Sequence, residues 1–348
     1  MKNKLVFAAC FLLLLLLVNG CSPVECRHHP KHRKDRMLFV FGDSFVDAGN
    51  RKPPTGGEGK TVGSRQWFYP YGSSDSAHHK NATGRFSDGL VQSDFLAMML
   101  GLDESPPAYR LRQANDEVDP SGVNFAMAGS GALSSSDEDR PSLTRQIDQL
   151  SRLVRHGIVE DGDLDDSVAL IAFSGLSDYQ SVTVTTTSDQ MRALVGKVTD
   201  AIANAVELLQ DLGVYNVLVN TLPPIGCQPF RAWNYNYAHC DDLGNTLSDM
   251  HNDALRRKLG DSEDAMVLDI NAAFNHVLDS RYSPCCAETS GTGDGYCGQE
   301  DDSGNALYKL CIDPEDFFYW DNMHPTQAAW EDVMNNLQQP IQDFLDNI

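Results

Sequence analysis

The 348-residue chain has few basic side chains and few long apolar runs. Its 27 lysines and arginines stand against 49 aspartates and glutamates, which gives a formal net charge of -22. This excess of acid argues against a nucleic-acid partner, because a phosphate backbone would be repelled. Beyond Val18 no apolar stretch reaches the roughly 18 residues that cross a bilayer as a helix. We therefore expect no stable membrane insertion.

Two short motifs are also missing. No paired Cys-x-x-Cys spacing occurs, which argues against a zinc site, and we expect no metal or organic cofactor. The pentapeptide Gly-x-Ser-x-Gly is absent too, which disfavours the large class of α/β serine hydrolases that place their nucleophile in such an elbow. The 41% of hydrophobic residues is nevertheless ordinary for a globular enzyme and sufficient for a sizeable core.

The N-terminus has the pattern of a secretory signal peptide. Lys2 and Lys4 precede an apolar run that ends at Val18, and Gly20 is small enough for a cleavage site. We therefore predict that residues 1–20 are removed on export. The mature protein is expected to be soluble and extracellular.

The rest of the chain is predicted to divide into a tail and one domain. Residues 21–36 are basic and histidine-rich. Such a run at a terminus is usually a solvated tail, and the alternative is a loose tether to an anionic polysaccharide. No linker or repeat interrupts residues 37–348, which we predict to form a single domain.

Eight cysteines remain after the predicted cleavage, an even number that is typical of disulfides in an oxidising compartment. They are Cys21, Cys26, Cys227, Cys240, Cys285, Cys286, Cys297 and Cys311. Cys21 is expected to pair with Cys26. Two bonds are expected among the last four cysteines, and their pairing stays open. The sequon that begins at Asn81 predicts glycosylation there, in the same compartment.

Short apolar runs alternate with amphipathic stretches along the domain. Runs typical of buried strands lie at 37–41, 123–126, 168–173, 215–220 and 265–270. Apolar residues recur at helical spacing in 191–212, 247–259 and 330–344. Ser188 is the expected cap of the first of these helices, and Gly213 and Gly260 are the expected stops of the first two. The alternation predicts an α/β fold, a mostly parallel sheet with helices on both faces.

Candidate catalytic residues lie at the two ends of the domain. Ser44 comes directly after the first predicted strand, at the edge where parallel sheets form their sites. A serine hydroxyl needs a base, which in turn needs a carboxylate to orient it. Asp321 and His324 have a spacing that lets one turn of backbone present both groups. The other histidines have no comparable motif and are predicted to be surface or structural.

Five ordered segments resemble the plant GDSL esterases and lipases, members of the SGNH hydrolase superfamily. The segments are FVFGDSFVDAGN at 39–50, TGRFSDG at 83–89, GVNFAMAGSG at 122–131, LPPIGC at 222–227 and YWDNMHPT at 319–326. The resemblance extends from about Phe39 to the C-terminus. It implies a single-domain three-layer α/β/α sandwich, and it implies that Cys227 pairs with Cys240.

The resemblance also implies roles for individual residues. Ser44 would be the nucleophile, His324 the general base and then acid, and Asp321 the residue that orients the histidine. The backbone amides of Ser44 and Gly129 would bind the oxyanion. Where the family has an asparagine that supplies a third donor, this chain has Ser177.

The expected function is therefore a secreted carboxylic ester hydrolase that acts through an acyl-serine. Short-chain esters are favoured as substrates, with acetylated carbohydrate as one class, and a plant enzyme would act in the apoplast or cell wall. The alternatives are a lipase for longer acyl chains, an acyl transferase, or a weakly active wall-binding protein because of Ser177. Aromatic clusters at 67–71 and 233–237 could stack on sugars, although packing of loops is the more ordinary interpretation.

Overall fold

The apolar runs predicted to be strands form one parallel sheet in the computed structural model. The strands are β1 (Leu38–Gly42), β2 (Gly122–Asn124), β3 (Val168–Ala172), β4 (Asn216–Asn220) and β5 (Ala265–Leu268). Their order across the sheet is β2-β1-β3-β4-β5, and every neighbouring pair is parallel. β1 therefore lies inside the sheet, with its carboxyl end between those of β2 and β3.

The structure describes residues 36–55, 60–112, 117–133, 139–260, 262–279, 281–289 and 295–346. The predicted signal peptide, Cys21, Cys26 and all of the predicted tail except Arg36 lie outside these ranges. Among the described residues, no helix is long and apolar enough to cross a membrane.

Nine α-helices pack around the sheet in the described part of the chain. They are α1 (Gln92–Met99), α2 (Leu143–Arg155), α3 (Asp161–Leu164), α4 (Leu176–Tyr179), α5 (Ser188–Asp211), α6 (Pro229–Ala232), α7 (Asp242–Leu259), α8 (Ile270–Leu278) and α9 (Gln327–Asp346). The three predicted helices correspond to α5, α7 and α9. The prediction for the start of α5 was wrong by one residue: Thr187 is the N-cap, and its hydroxyl accepts from the Gln190 amide.

The two faces of the sheet bury separate apolar layers. Alternate side chains of β1 point to opposite faces. Leu38 and Val40 join the core formed with α1, α8 and α9. Phe39 and Phe41 join the core formed with α2, α5 and α7. This arrangement confirms the predicted three-layer α/β/α sandwich and explains why the strands are apolar without interruption.

Three disulfides tie the C-terminal loops together. Cys227 bonds to Cys240, as the resemblance implied. Cys285 bonds to Cys311 and Cys286 to Cys297, a pairing that the sequence left open. The last two bonds brace a small antiparallel pair of strands, β6 (Cys286–Glu288) and β7 (Tyr308–Leu310).

Removing the Cys285–Cys311 bond by a double exchange to alanine should lower the free energy of unfolding by about 3 to 4 kcal/mol, as expected for a closed loop of this length. The reason is that the unfolded chain would regain the conformational freedom of the 26-residue separation. Urea unfolding of the two proteins measures the difference. Peptide mapping without reductant gives an independent check, and a Cys285–Cys297 peptide would contradict the pairing.

Candidate active site

Ser44 lies in a tight turn at the carboxyl end of β1. Gly42 closes the strand with a φ of +147°, and a β-carbon there would lie 1.9 Å from the Ala172 carbonyl oxygen. Only glycine therefore fits. The Asp43 carboxylate fixes the turn, because it accepts the Phe45 amide at 3.1 Å and the Ser174 amide and hydroxyl at 2.8 and 2.6 Å.

The structure brings the three predicted catalytic residues into one hydrogen-bonded line. His324 Nε2 lies 2.8 Å from Ser44 Oγ. On the other side of the ring, Nδ1 lies 2.8 and 2.9 Å from the two carboxylate oxygens of Asp321. Asp321 and His324 are 1% exposed and Ser44 is 5% exposed. A carboxylate that holds one ring nitrogen while the other faces a hydroxyl is the arrangement that activates a serine.

The turn that carries Asp321 and His324 is held by its own backbone and by its neighbours. Asp321 Oδ1 accepts the amides of Met323 and His324 at 2.9 and 2.8 Å. The Trp320 amide donates to the His324 carbonyl at 2.7 Å, and the Phe230 amide of α6 donates to Asn322. These bonds fix both catalytic side chains on one turn.

Aromatic rings restrict the imidazole further. Phe86 stacks on His324 with ring centroids 4.7 Å apart, and Phe45 contacts it edge-on at 6.1 Å. Phe86 belongs to the 83–89 segment quoted above, which also anchors the chain beyond the histidine: Ser87 donates to the Pro325 carbonyl at 3.2 Å. The imidazole is therefore held in place by packing as well as by hydrogen bonds.

The backbone amides of Ser44 and Gly129, the two predicted oxyanion donors, have no acceptor among the residues that the structure describes. Gly129 follows β2 and has a φ of +85°. The preceding residue is fixed, because the Ala128 amide donates to the buried carboxylate of Asp47 at 2.8 Å. Burial raises the pKa of Asp47 to about 6, and the amides that donate to it oppose that rise.

Ser177 lies in α4 and contacts the same loop. Its hydroxyl donates to the Gly129 carbonyl at 3.0 Å. The next residue, Asp178, accepts the amides of Ala132 and Leu133 at 2.9 and 3.0 Å. The segment that departs from the family pattern therefore still holds the loop of Gly129, and in this arrangement the single hydroxyl proton of Ser177 is already engaged.

The sequence did not predict two residues that contact Asp321. Tyr71 donates to Asp321 Oδ2 at 2.7 Å, and Arg65 Nη2 donates to the same oxygen at 3.1 Å. Burial alone would raise the pKa of Asp321, but the adjacent His324 and the Arg65 guanidinium outweigh it and hold that pKa well below its ordinary value. The carboxylate is therefore ionised at neutral pH.

Two other histidines have defined partners away from this site. His78 lies 2.7 Å from Asp75, which precedes it by the same three positions that separate Asp321 from His324, and 3.3 Å from Glu104. His251 lies 2.7 Å from the Tyr179 hydroxyl and is buried. Within the described ranges no group of three histidine, cysteine or acidic side chains is arranged to hold a metal ion.

Comparison with known proteins assigns the chain to a family. Residues 38–337 match the family model described as GDSL-like Lipase/Acylhydrolase. One GDSL esterase/lipase of Arabidopsis thaliana is 34% identical over 90% of this chain and 96% of its own length, and a second is 30% identical over 95% and 94%. Among solved structures, an α/β hydrolase enzyme from the metagenome of Lake Arreo, Spain, aligns with 89% of this chain and 96% of its own, at 15% identity and a TM-score of 0.37, which is too low to support an assignment. On the family match and these relatives, the chain belongs to the GDSL lipase/acylhydrolase family and is a serine ester hydrolase.

Proposed function

We propose that Ser44, His324 and Asp321 are the catalytic triad of this hydrolase. The observation that carries the proposal is the 2.8 Å separation of His324 Nε2 from Ser44 Oγ. As Ser44 attacks the ester carbonyl, its proton passes to Nε2, and the histidine then gives that proton to the departing alcohol. Water, deprotonated by the same nitrogen, releases the acyl group from Ser44. Asp321 stabilises the imidazolium present between these steps.

The amides of Ser44 and Gly129 are the proposed donors to the oxyanion. Their lack of acceptors among the described residues supports this, since donors already used elsewhere would have to break a bond first. Because both are backbone groups on turns fixed by Asp43 and Asp47, little reorganisation is needed when the negative charge develops.

An organophosphonate probe tests the nucleophile. We expect it to label Ser44 in the native protein and to leave the heat-denatured protein unlabelled, because an isolated serine hydroxyl is a weak nucleophile. Label on another residue, or none, would favour the second candidate, a weakly active binding protein. A relative that is 29% identical is described as an inactive GDSL esterase/lipase-like protein, so activity depends on the residues of each chain.

The Ser177→Asn variant tests the oxyanion site. A carboxamide has two N–H donors, so one can keep the bond to Gly129 while the other reaches the oxyanion. We expect kcat to rise roughly tenfold, less than the full effect of a donor, with little change in KM. Ser177→Ala is the control and should lower kcat, because the Gly129 carbonyl loses its donor. Unchanged kinetics in both variants would remove Ser177 from the proposal.

The proposed substrates are short-chain esters whose alcohol part is a neutral carbohydrate. A pocket of about 260 Å³ adjoins the catalytic turn, and Asn322 forms part of its wall. Its other walls include the side chains of Trp233, Tyr237 and Glu288. Aromatic faces beside amide and carboxylate groups suit a ring that carries hydroxyls. His324 protonates the departing alcohol. The alcohol part of the ester therefore has to lie on the side of Ser44 where the turn with His324 lies.

The negative charge of the pocket and of the whole chain favours neutral over anionic sugars as substrates. Glu288 lies in the pocket, and the whole chain has a formal net charge of -22. An anionic sugar would therefore be repelled, which favours a neutral one. The rival substrate is a lipid with a long acyl chain, and it would need an extended apolar surface that this mixed pocket does not provide.

The Trp233→Ala variant tests the pocket. We expect KM for an acetylated neutral oligosaccharide to rise about three- to tenfold, the effect of one lost stacking contact, while hydrolysis of a small aryl acetate stays unchanged. Tyr215→Ala is the matched control, because Tyr215 is 42% exposed and precedes β4 at the amino ends of the strands, whereas Ser44 follows β1 at their carboxyl ends. Faster hydrolysis with increasing acyl length, and no effect of Trp233→Ala, would favour the lipase.

The proposed location is extracellular, after removal of residues 1–20. The three disulfides support an oxidising compartment, and Asn81 is exposed, as a glycan acceptor has to be. Expressed in a eukaryotic secretory system, the wild type should migrate faster on gels after glycosidase treatment. Asn81→Gln should already migrate at that position, and a shift retained by this variant would contradict glycosylation there.

A further inference from the structure

Asp321 has a second set of partners that the proposed triad does not use. One carboxylate oxygen, Oδ1, receives the backbone amides of Met323 and His324. The other, Oδ2, receives the Tyr71 hydroxyl and the Arg65 guanidinium. The Arg65 Nε also donates to the Tyr71 oxygen at 2.7 Å, so these three side chains form one closed network. Both carboxylate oxygens are thereby fixed in direction.

This network is buried. Tyr71 is 0% exposed and Arg65 is 8% exposed, beside an Asp321 that is 1% exposed. A guanidinium is removed from water only where it is paired and hydrogen-bonded, because its desolvation is costly. Arg65 satisfies this requirement by contacts with the triad carboxylate and with its tyrosine partner.

Arg65 and His324 also contact the same aromatic ring. The guanidinium carbon lies 4.9 Å from the Phe86 centroid, and the imidazole stacks on Phe86 with ring centroids 4.7 Å apart. Phe86 therefore packs against two of the side chains that bond to Asp321.

We propose that Arg65 and Tyr71 are positioning residues: they orient Asp321, and through it the imidazole of His324. This rests on the proposed catalytic triad. Neither residue touches the reacting atoms, and each acts through Asp321.

The split between kcat and KM on a small aryl acetate tests the positioning. Arg65→Gln keeps a donor to Asp321 but loses the planar fork that also reaches Tyr71, and Tyr71→Phe removes one hydrogen bond to Asp321. We expect kcat to fall about three- to tenfold in each variant while KM changes little, because the orientation of Asp321 is loosened and the reacting atoms are untouched.

Arg85 offers a matched control. It is 6% exposed and bonds to Asp94 at 2.7 Å, so it is another buried arginine paired with a carboxylate that is not in the triad. Arg85→Gln should lower the melting temperature and leave kcat unchanged. An equal kcat in folded Arg65→Gln and the wild type would overturn the positioning role of Arg65.

Arg65→Lys covers the case in which Arg65→Gln fails to fold. The charge is kept but the planar fork that reaches both Asp321 and Tyr71 is lost. We expect a lower kcat with little change in KM. Wild-type kcat in folded Arg65→Lys and in Tyr71→Phe would overturn the positioning role. If the wild type itself neither hydrolyses the ester nor binds the phosphonate probe, the triad proposal fails before this one.

Discussion

Replacing Ser44 by alanine, or His324 by glutamine, should lower kcat by roughly 10⁴- to 10⁶-fold. Each exchange removes the same step, the transfer of the hydroxyl proton along the 2.8 Å separation between Oγ and Nε2. The double variant should therefore be about as active as either single variant. Some hydrolysis above the rate in water should remain, because the oxyanion donors are untouched. Steady-state kinetics on a small aryl acetate measure all three.

Two buried residues provide controls for stability. His251 is a buried histidine whose ring nitrogen lies 2.7 Å from a hydroxyl, that of Tyr179, but it has no orienting carboxylate there. Ser248 is a buried serine that donates to the Pro223 carbonyl at 2.8 Å. His251→Gln and Ser248→Ala should lower the melting temperature and keep kcat within a few-fold of the wild type. If they were as inactive as the site variants, loss of folding would explain the results and the triad would be unsupported.

The central fold could be predicted because the strands of a parallel sheet that is covered on both faces produce a simple pattern in the sequence. Each strand is a short apolar run, and β1 has no polar position that would divide its faces. The helix α2 was missed although its signal is present: Ser142 caps it, and Ile147, Leu150 and Leu153 recur at helical spacing. Here the pattern was sufficient and was simply not identified.

The disulfide pairing shows where sequence reasoning stops. Cys285 and Cys286 are neighbours, and side chains of successive residues in extended backbone point to opposite faces. Side chains that point apart cannot bond to each other, so one of the two neighbours pairs with Cys297 and the other with Cys311. Which neighbour takes which partner depends on the path of the loops. That path includes polar segments with no hydrophobic periodicity, so only the structure resolves the two bonds.

The residues of the proposed triad and those that support Asp321 differ in how far the sequence predicts them. Ser44, Asp321 and His324 lie in recognisable segments, so their convergence could be predicted although 280 positions separate the serine from the histidine. Arg65 lies in no such segment. A buried arginine is predicted only when its carboxylate is known, and here the carboxylate is 256 positions away. Long-range electrostatic partners of this kind depend on tertiary packing, which local patterns do not contain.

Gly129→Ala should lower kcat by about 10²- to 10³-fold while KM changes little, because an oxyanion donor acts mainly in the transition state. Alanine at a φ of +85° is strained. The added carbon would also lie 2.9 Å from the Arg140 side chain, which is flexible and can yield. Relief of the backbone strain turns the peptide, and the amide then no longer points to the place where the oxyanion forms.

Gly101→Ala is the control that separates the loss of the oxyanion donor from the effect of backbone strain. Gly101 has a φ of +89°, and an added β-carbon would meet nothing within 4 Å. Both variants should therefore lose a similar amount of stability, about 1 to 2 kcal/mol for an L-residue in this conformation, measured by urea unfolding. Only Gly129→Ala should lose turnover. Wild-type kcat in folded Gly129→Ala would mean that this amide does not bind the oxyanion, and Ser44 would be left as the backbone donor supported by the structure.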